Sequence, residues 1–176
     1  GVWKGYNTDA PGLQKALCDF LNVKNLAHKK VSIIGAGGAA RAAAYVVKQL
    51  RGKCCIFNRT VAKAKALADL FGFKYAALDE AHVGLIEQYS DLIIQTTSIG
   101  MGVPAGTIQD DEKQVDPIPF YNFHGTECVY DIIYNPEETP IMIRAKAAGC
   151  KVENGYSMLI NQAYRQFSLF TGVEYE

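Results

Sequence analysis

The chain has 176 residues, enough for one ordinary domain with a single sizeable core, and its 18 Lys and Arg balance 18 Asp and Glu. A formal charge of zero excludes a general binder of nucleic acid or of a membrane surface, either of which needs a field of one sign. No apolar run approaches the ~18–20 residues that span a bilayer, and five cysteines, odd in number and without CxxC spacing, argue for reduced cytoplasmic thiols rather than a zinc site or a disulfide framework.

In chain order, Ala10–Leu21 reads as a helix that precedes the first sheet strand. Val31–Ile34 is a continuous apolar run ending at Gly35, the pattern of a buried parallel strand. The Ala-rich stretch from Ala39 to about Leu50 is helical, Lys53–Asn58 a second strand and Val61–Phe71 a second sheet-packing helix. Tyr75–Ala77 is a weak third strand, followed by a helix over Val83–Gln88 and a fourth strand over Leu92–Thr96. A Gly-, Pro- and Asp-rich loop runs from Ser98 to about Pro119. Cys128–Ile133 is a fifth strand, Thr139–Ala148 a helix stopped by Gly149, Lys151–Glu153 a short sixth strand, and Ser157–Phe170 a closing amphipathic helix. This alternation predicts an α/β, Rossmann-type fold: a doubly wound, mostly parallel sheet with helices on both faces.

The first strand leads into Gly35-Ala36-Gly37-Gly38-Ala39-Ala40, which has the spacing G-x-G-x-x-A and opens a helix. In that context Gly35 permits the tight turn, Gly37 admits a pyrophosphate close to the backbone, and Ala40 keeps helix and strand together. The helix N-terminus then faces the anion. The alternative is a structural turn built of small residues.

The end of the second strand selects the dinucleotide. An NAD-type site needs an acidic residue ~20 residues past the first glycine to hold the ribose 2′-hydroxyl. From Arg51 through Ala68 there is none. The strand ends instead on Asn58-Arg59-Thr60, with Lys63 one turn on. Arg59 offers a fork of donors suited to a phosphate, Thr60 stands where it can cap the next helix, and Lys63 adds charge to the same face. NADP is the expected cofactor; the alternative is a solvated basic helix start.

With that N-R-T segment placed after the glycine loop, the chain resembles the shikimate dehydrogenase family. Four further segments agree in order: Gly5-Tyr6-Asn7-Thr8-Asp9, Thr96-Thr97-Ser98-Ile99-Gly100-Met101, Tyr130-Asp131-Ile132-Ile133-Tyr134-Asn135-Pro136 leading to Thr139-Pro140, and Gly155-Tyr156-Ser157-Met158-Leu159-Ile160-Asn161-Gln162. The resemblance implies that Asp9 is half of a catalytic Lys–Asp pair, where the bland alternative is a helix cap. It implies that Thr8, Tyr134 and Gln162 contact substrate. Tyr134 is otherwise a buried aromatic with a satisfied hydroxyl. It also implies that Thr96, Thr97 and Ser98 line the cofactor ribose and nicotinamide, that Ile132 (where relatives often carry Met) gives the nicotinamide an apolar contact, and that Gly155 admits it close to the backbone.

The implied reaction is the reversible NADPH-dependent reduction of 3-dehydroshikimate to shikimate, a step of aromatic amino-acid biosynthesis. In that family the substrate domain and its catalytic Lys precede the G-x-N-T-D motif, which here starts at residue 5. Lys4 does not match that Lys. The expectation is therefore an NADP-binding domain over residues 1–176, residues 1–25 forming an interdomain helix segment, with the N-terminal substrate domain absent and little activity alone. The rivals are a methylene-tetrahydrofolate dehydrogenase, a NAD-using quinate or shikimate enzyme, and an NADP-binding regulatory module without catalysis. His28, His82 and His124 have no partner at metal or triad spacing, and Met101, Met142 and Met158 read as gap-filling apolar contacts.

Overall fold

Apolar runs too short for helices, each followed by a longer amphipathic stretch, fold as parallel strands joined by crossover helices. In the computed structural model, which describes residues 9–103 and 115–173, the strands are β1 (Lys30–Ile34), β2 (Lys53–Asn58), β3 (Lys74–Ala77), β4 (Leu92–Gln95), β5 (Cys128–Asp131) and β6 (Lys151–Glu153). The helices are α1 (Asp9–Leu21), α2 (Gly38–Gln49), α3 (Val61–Phe71), α4 (Val83–Gln88), α5 (Pro140–Ala147) and α6 (Tyr156–Thr171). Gly5–Thr8 and the middle of the Ser98–Pro119 loop lie outside the described residues. Every strand pairing is parallel and the order is β3-β2-β1-β4-β5-β6, the doubly wound Rossmann arrangement that the alternation predicts.

Each central strand is buried on both faces, so its alternate side chains feed two cores. Val31, Ile33, Ile56 and Ile94 face one core, closed by α1, α2 and α3, while Ile34, Phe57, Ile93 and Val129 face the other, closed by α4 and α5. Leu13, Leu17 and Phe20 of α1 are packed into the first of these cores together with the sheet. By contrast α6 has no fully buried residue, and its Phe170 is 89% exposed.

Several boundaries shift by a residue or two from expectation, among them the end of β5 and the start of α1. β5 stops at Asp131 rather than Ile133, because the Asp131 carboxylate accepts the Ile133 N–H (2.9 Å) and turns the chain out of the sheet. Helix α1 starts at Asp9, and it lies against α6 at Gly12. A Cβ there would stand 2.7 Å from Gln162 Cγ and 3.0 Å from the Met158 carbonyl oxygen, so only glycine allows the two helix backbones this approach.

Candidate functional site

The strand order reverses between β1 and β4, and in open α/β sheets ligands bind outside the carboxyl ends of the strands at that switch point. Register aligns the ends: Ile34 pairs with Phe57 on one side and Gln95 on the other, and Gln95 pairs with Asp131. Asn58, Gly35, Thr96 and Ile132 therefore form the next level up, side by side along the edge. Three strand spacings separate the first from the last, about 14 Å.

Gly35 sits at φ +112°, and a Cβ on it would lie 2.6 Å from Thr96 Oγ1. The glycine is required both by the left-handed turn and by the neighbouring strand end. Gly37 and Gly38 differ: a Cβ on either meets nothing within 4 Å, and both are exposed. Neither is demanded by the fold. Ala36 and Ala39 flank them half-buried, and Ala40 is fully buried against the strand. Gly37 is the N-cap of α2 and makes no side-chain cap bond, so the residue at that position leaves the first-turn N–H groups without a cap.

At the end of β2, Asn58 donates from Nδ2 to the Thr60 carbonyl (3.0 Å) and closes the turn on which Arg59 stands. Thr60 occupies the N-cap position of α3, but its hydroxyl makes no cap bond; the expected cap is corrected to a backbone turn in which the Thr60 carbonyl accepts the Lys63 N–H (3.0 Å). Arg59 and Lys63 are exposed, and neither is in an ion pair among the described residues.

Beyond β4, Thr96 is 8% exposed and its hydroxyl donates to the Ile34 carbonyl (2.7 Å). That hydroxyl ties two strand ends together. Thr97 accepts the Ile99 N–H on its hydroxyl (3.1 Å), and Ser98 is exposed. Beyond β5 a recess of about 200 Å³ is lined by Met101, Gly102, Ile132, Ile133, Tyr134 and Asn135. Tyr134 is 52% exposed, so its reading as a buried aromatic falls. Met101, read from sequence as a gap-filling apolar contact, is 61% exposed beside this recess, whereas Met142 is buried. A Cβ on Gly155 would come within 1.9 Å of the Ile132 carbonyl oxygen, so the protein's own backbone demands that glycine.

On the far side, Gln162 of α6 donates from Nε2 to Asp9 Oδ1 at 2.7 Å. The approach of the helices at Gly12 thus brings two predicted site residues into contact across 153 positions. Thr8, their predicted companion, lies outside the described residues. Sequence reasoning missed Gly12, whose signal was a glycine inside a helical pattern. It also missed Gln95 and gave no role to Thr139, both completely buried.

Asp131 is buried completely, and burial pushes its carboxyl up to about 7 against the lowering pull of the Thr139 hydroxyl and the Ile133 N–H, with the Asp116 charge adding to the rise. A raised acid pKa favours the folded state at low pH, where the group is neutral in both states. That contribution is lost as pH rises from the unfolded value near 4 through about 7. Asp131→Asn is therefore expected to melt at a higher temperature than the wild type at pH 8, with the gap closing by pH 5. Calorimetric scans across that range check it, and a gap independent of pH would refute the assignment.

A family model described as shikimate / quinate 5-dehydrogenase matches residues 20–114, more than half of the chain, and one described as the shikimate 5′-dehydrogenase C-terminal domain matches residues 155–174. The chain belongs to the shikimate/quinate dehydrogenase family. It is 37% identical over 175 residues to the NADP(+) shikimate dehydrogenase of Shouchella clausii, covering 98% of this chain and 60% of that protein. Shikimate dehydrogenase from Thermus thermophilus, solved with NADP(H) and shikimate, superposes with a TM-score of 0.75 at 30% identity, over 98% of this chain and 59% of that one. Quinate dehydrogenase from Corynebacterium glutamicum, solved with NAD, gives 0.75 at 29% identity over 97% and 58%. The chain thus spans about 60% of the length of the family proteins it matches. Among the described residues no helix is long and apolar enough to cross a membrane, and no cluster of His, Cys, Asp and Glu has the makings of a metal site.

Proposed function

We propose that the chain binds NADP(H) across the carboxyl edge of its sheet and forms the cofactor half of an enzyme that interconverts 3-dehydroshikimate and shikimate. One observation carries the cofactor reading: the open, uncapped start of α2 at Gly37 and Gly38 stands one strand away from Arg59 and Lys63, two cations without carboxylate partners among the described residues. A pyrophosphate suits the helix N-terminus, where backbone N–H groups and the helix dipole meet an anion. Arg59 suits a ribose 2′-phosphate through its planar fork of donors, with Lys63 adding charge.

With the 2′-phosphate held at the end of β2, the residues at the ends of β4 and β5 would hold the rest of the dinucleotide. Thr97 and Ser98 then border it, Thr96 frames the strand end beneath, and Ile132, Gly155 and Tyr134 enclose the nicotinamide end. When bound, that nicotinamide supplies or accepts the hydride of the reaction. The protein's task is the proton and the alignment. Asp9, held by Gln162, orients a lysine ammonium contributed by the rest of the whole protein, and that ammonium protonates the developing alkoxide. Thr8, Tyr134 and Gln162 contact the substrate's hydroxyl groups.

The test is cofactor choice in the chain as it stands. A hydrogen bond to a charged group contributes ~1.5–3 kcal/mol, so Arg59→Ala should weaken NADPH by roughly ten- to a hundredfold and leave NADH nearly unchanged. Titration calorimetry with both cofactors measures this. Equal losses for the two would overturn the 2′-phosphate assignment.

A further inference from the structure

Gln95 and Asp131 are register partners at the carboxyl ends of β4 and β5, and both are completely buried although polar. Each follows by two residues a side chain of the α4–α5 core (Ile93 and Val129), so both lie on that face of the sheet, at its upper rim. Each reaches forward and ties down the segment that leaves its own strand. The Gln95 amide donates from Nε2 to the carbonyls of Thr97 (3.0 Å) and Ile99 (3.1 Å) and accepts the Thr97 N–H on Oε1 (2.7 Å). The Asp131 carboxylate accepts the Ile133 N–H on Oδ1 (2.9 Å) and the Thr139 hydroxyl on Oδ2 (2.7 Å).

The two tied segments are stitched to each other and to α6. Ile132 donates its N–H to the Gln95 carbonyl (3.1 Å), Gly102 to the Asn135 carbonyl (3.2 Å), and Gly155 to the Ile133 carbonyl (3.1 Å). Between them lies the recess of Met101, Ile132 and Tyr134. Its walls are irregular backbone, which has no ladder of its own to set its position, so buried side chains do that work.

We propose that Asp131, acting with its strand neighbour Gln95, is a positioning residue that sets the nicotinamide subsite by holding Ile132–Asn135 against the segment that leaves β4 and ends at Met101 and Gly102. The inference rests on the dinucleotide reading above and names what shapes one end of that site. Burial opposes the charge on Asp131, so the carboxyl is costly to the folded state. What it returns is geometry. One side chain fixes two points, Ile133 at 2.9 Å on the near side and Thr139 at 2.7 Å, where α5 begins. Nearby Asp116 is engaged elsewhere, accepting from Ile118 N–H (2.9 Å) and Arg144 Nε (3.0 Å).

The test compares two ligands on the same chain: NADPH, and adenosine 2′,5′-bisphosphate, which has the 2′-phosphate but no nicotinamide. In Asp131→Ala, calorimetry should show NADPH affinity falling at least tenfold while the bisphosphate stays within twofold of wild type. Asp131→Asn, which keeps an acceptor for the Ile133 N–H, should restore most of the loss. If Asp131→Ala fails to fold by its melting curve, Thr139→Val carries the comparison, with a several-fold loss confined to NADPH. Parallel losses of both ligands, or no loss of either, would overturn the positioning role. A wild-type chain that binds neither ligand would overturn the dinucleotide reading, and this inference with it.

Discussion

Gly37→Val is expected to weaken NADPH and NADH alike by a hundredfold or more while shifting the melting temperature by no more than a few degrees. The backbone at Gly37 is extended, φ −91° and ψ −164°, a conformation in which valine is at ease, and the ideal Cβ touches nothing within 4 Å. The isopropyl group would instead project into the space above the α2 N-terminus. An anion kept away from there forfeits two or more charged hydrogen bonds at ~1.5–3 kcal/mol each, hence the hundredfold figure. Gly35→Val is the useful contrast. There φ is +112° and the Cβ would lie 2.6 Å from Thr96 Oγ1, so the protein itself should be destabilised. Titration of both cofactors together with melting curves separates the two glycines. Normal binding by the folded Gly37 variant would mean that the phosphate site lies elsewhere.

The second large effect belongs to the whole protein. With the remaining length of the family protein joined to this chain, Asp9→Asn should lower turnover of shikimate by ~10²–10⁴-fold, the range associated with a lost acid–base group. NADPH affinity should stay unchanged. Asparagine keeps an oxygen for the Gln162 amide, so the contact of α1 with α6 survives and only the charge is removed. Steady-state turnover set beside cofactor titration is the measurement. Undiminished turnover would remove Asp9 from the proton chemistry.

Much of the fold was legible because it is local. Lys53–Asn58, Val61–Phe71, Val83–Gln88 and Lys151–Glu153 occupy the spans that apolar runs and helical periodicity predict, and the parallel direction of the strands follows from strand–helix alternation and right-handed crossovers. The glycine loop was readable for a similar reason. Its spacing places a turn, an open backbone and a helix start within six consecutive residues. The basic N-R-T segment was readable as chemistry, because its charges lie at a strand end that the pattern already locates.

What the pattern could not convey is how distant polar groups satisfy one another. Thr60 was read as a cap by its type, yet its carbonyl rather than its hydroxyl organises the turn. Met101 was read as a gap-filling apolar contact, but the chain leaves it 61% exposed beside the Tyr134 recess. Gln95 and Asp131 look like polar interruptions at the ends of apolar runs. Their purpose emerges only when the parallel register sets them side by side, each bonded to its own loop.

The amino-acid order alone was sufficient for the class of fold, and it singled out the glycine loop and the basic strand end proposed as the phosphate sites, because each depends on backbone period, steric size or charge within a few neighbouring residues. Folding in three dimensions set the rest: the Asp9–Gln162 contact made possible by Gly12, the rigid frame at Gln95 and Asp131, and the need for glycine at 155 imposed by the Ile132 carbonyl. Those features join residues far apart in the chain. Which buried donor meets which acceptor depends on how helices and strands pack, and close packing is a property of the whole molecule rather than of any segment.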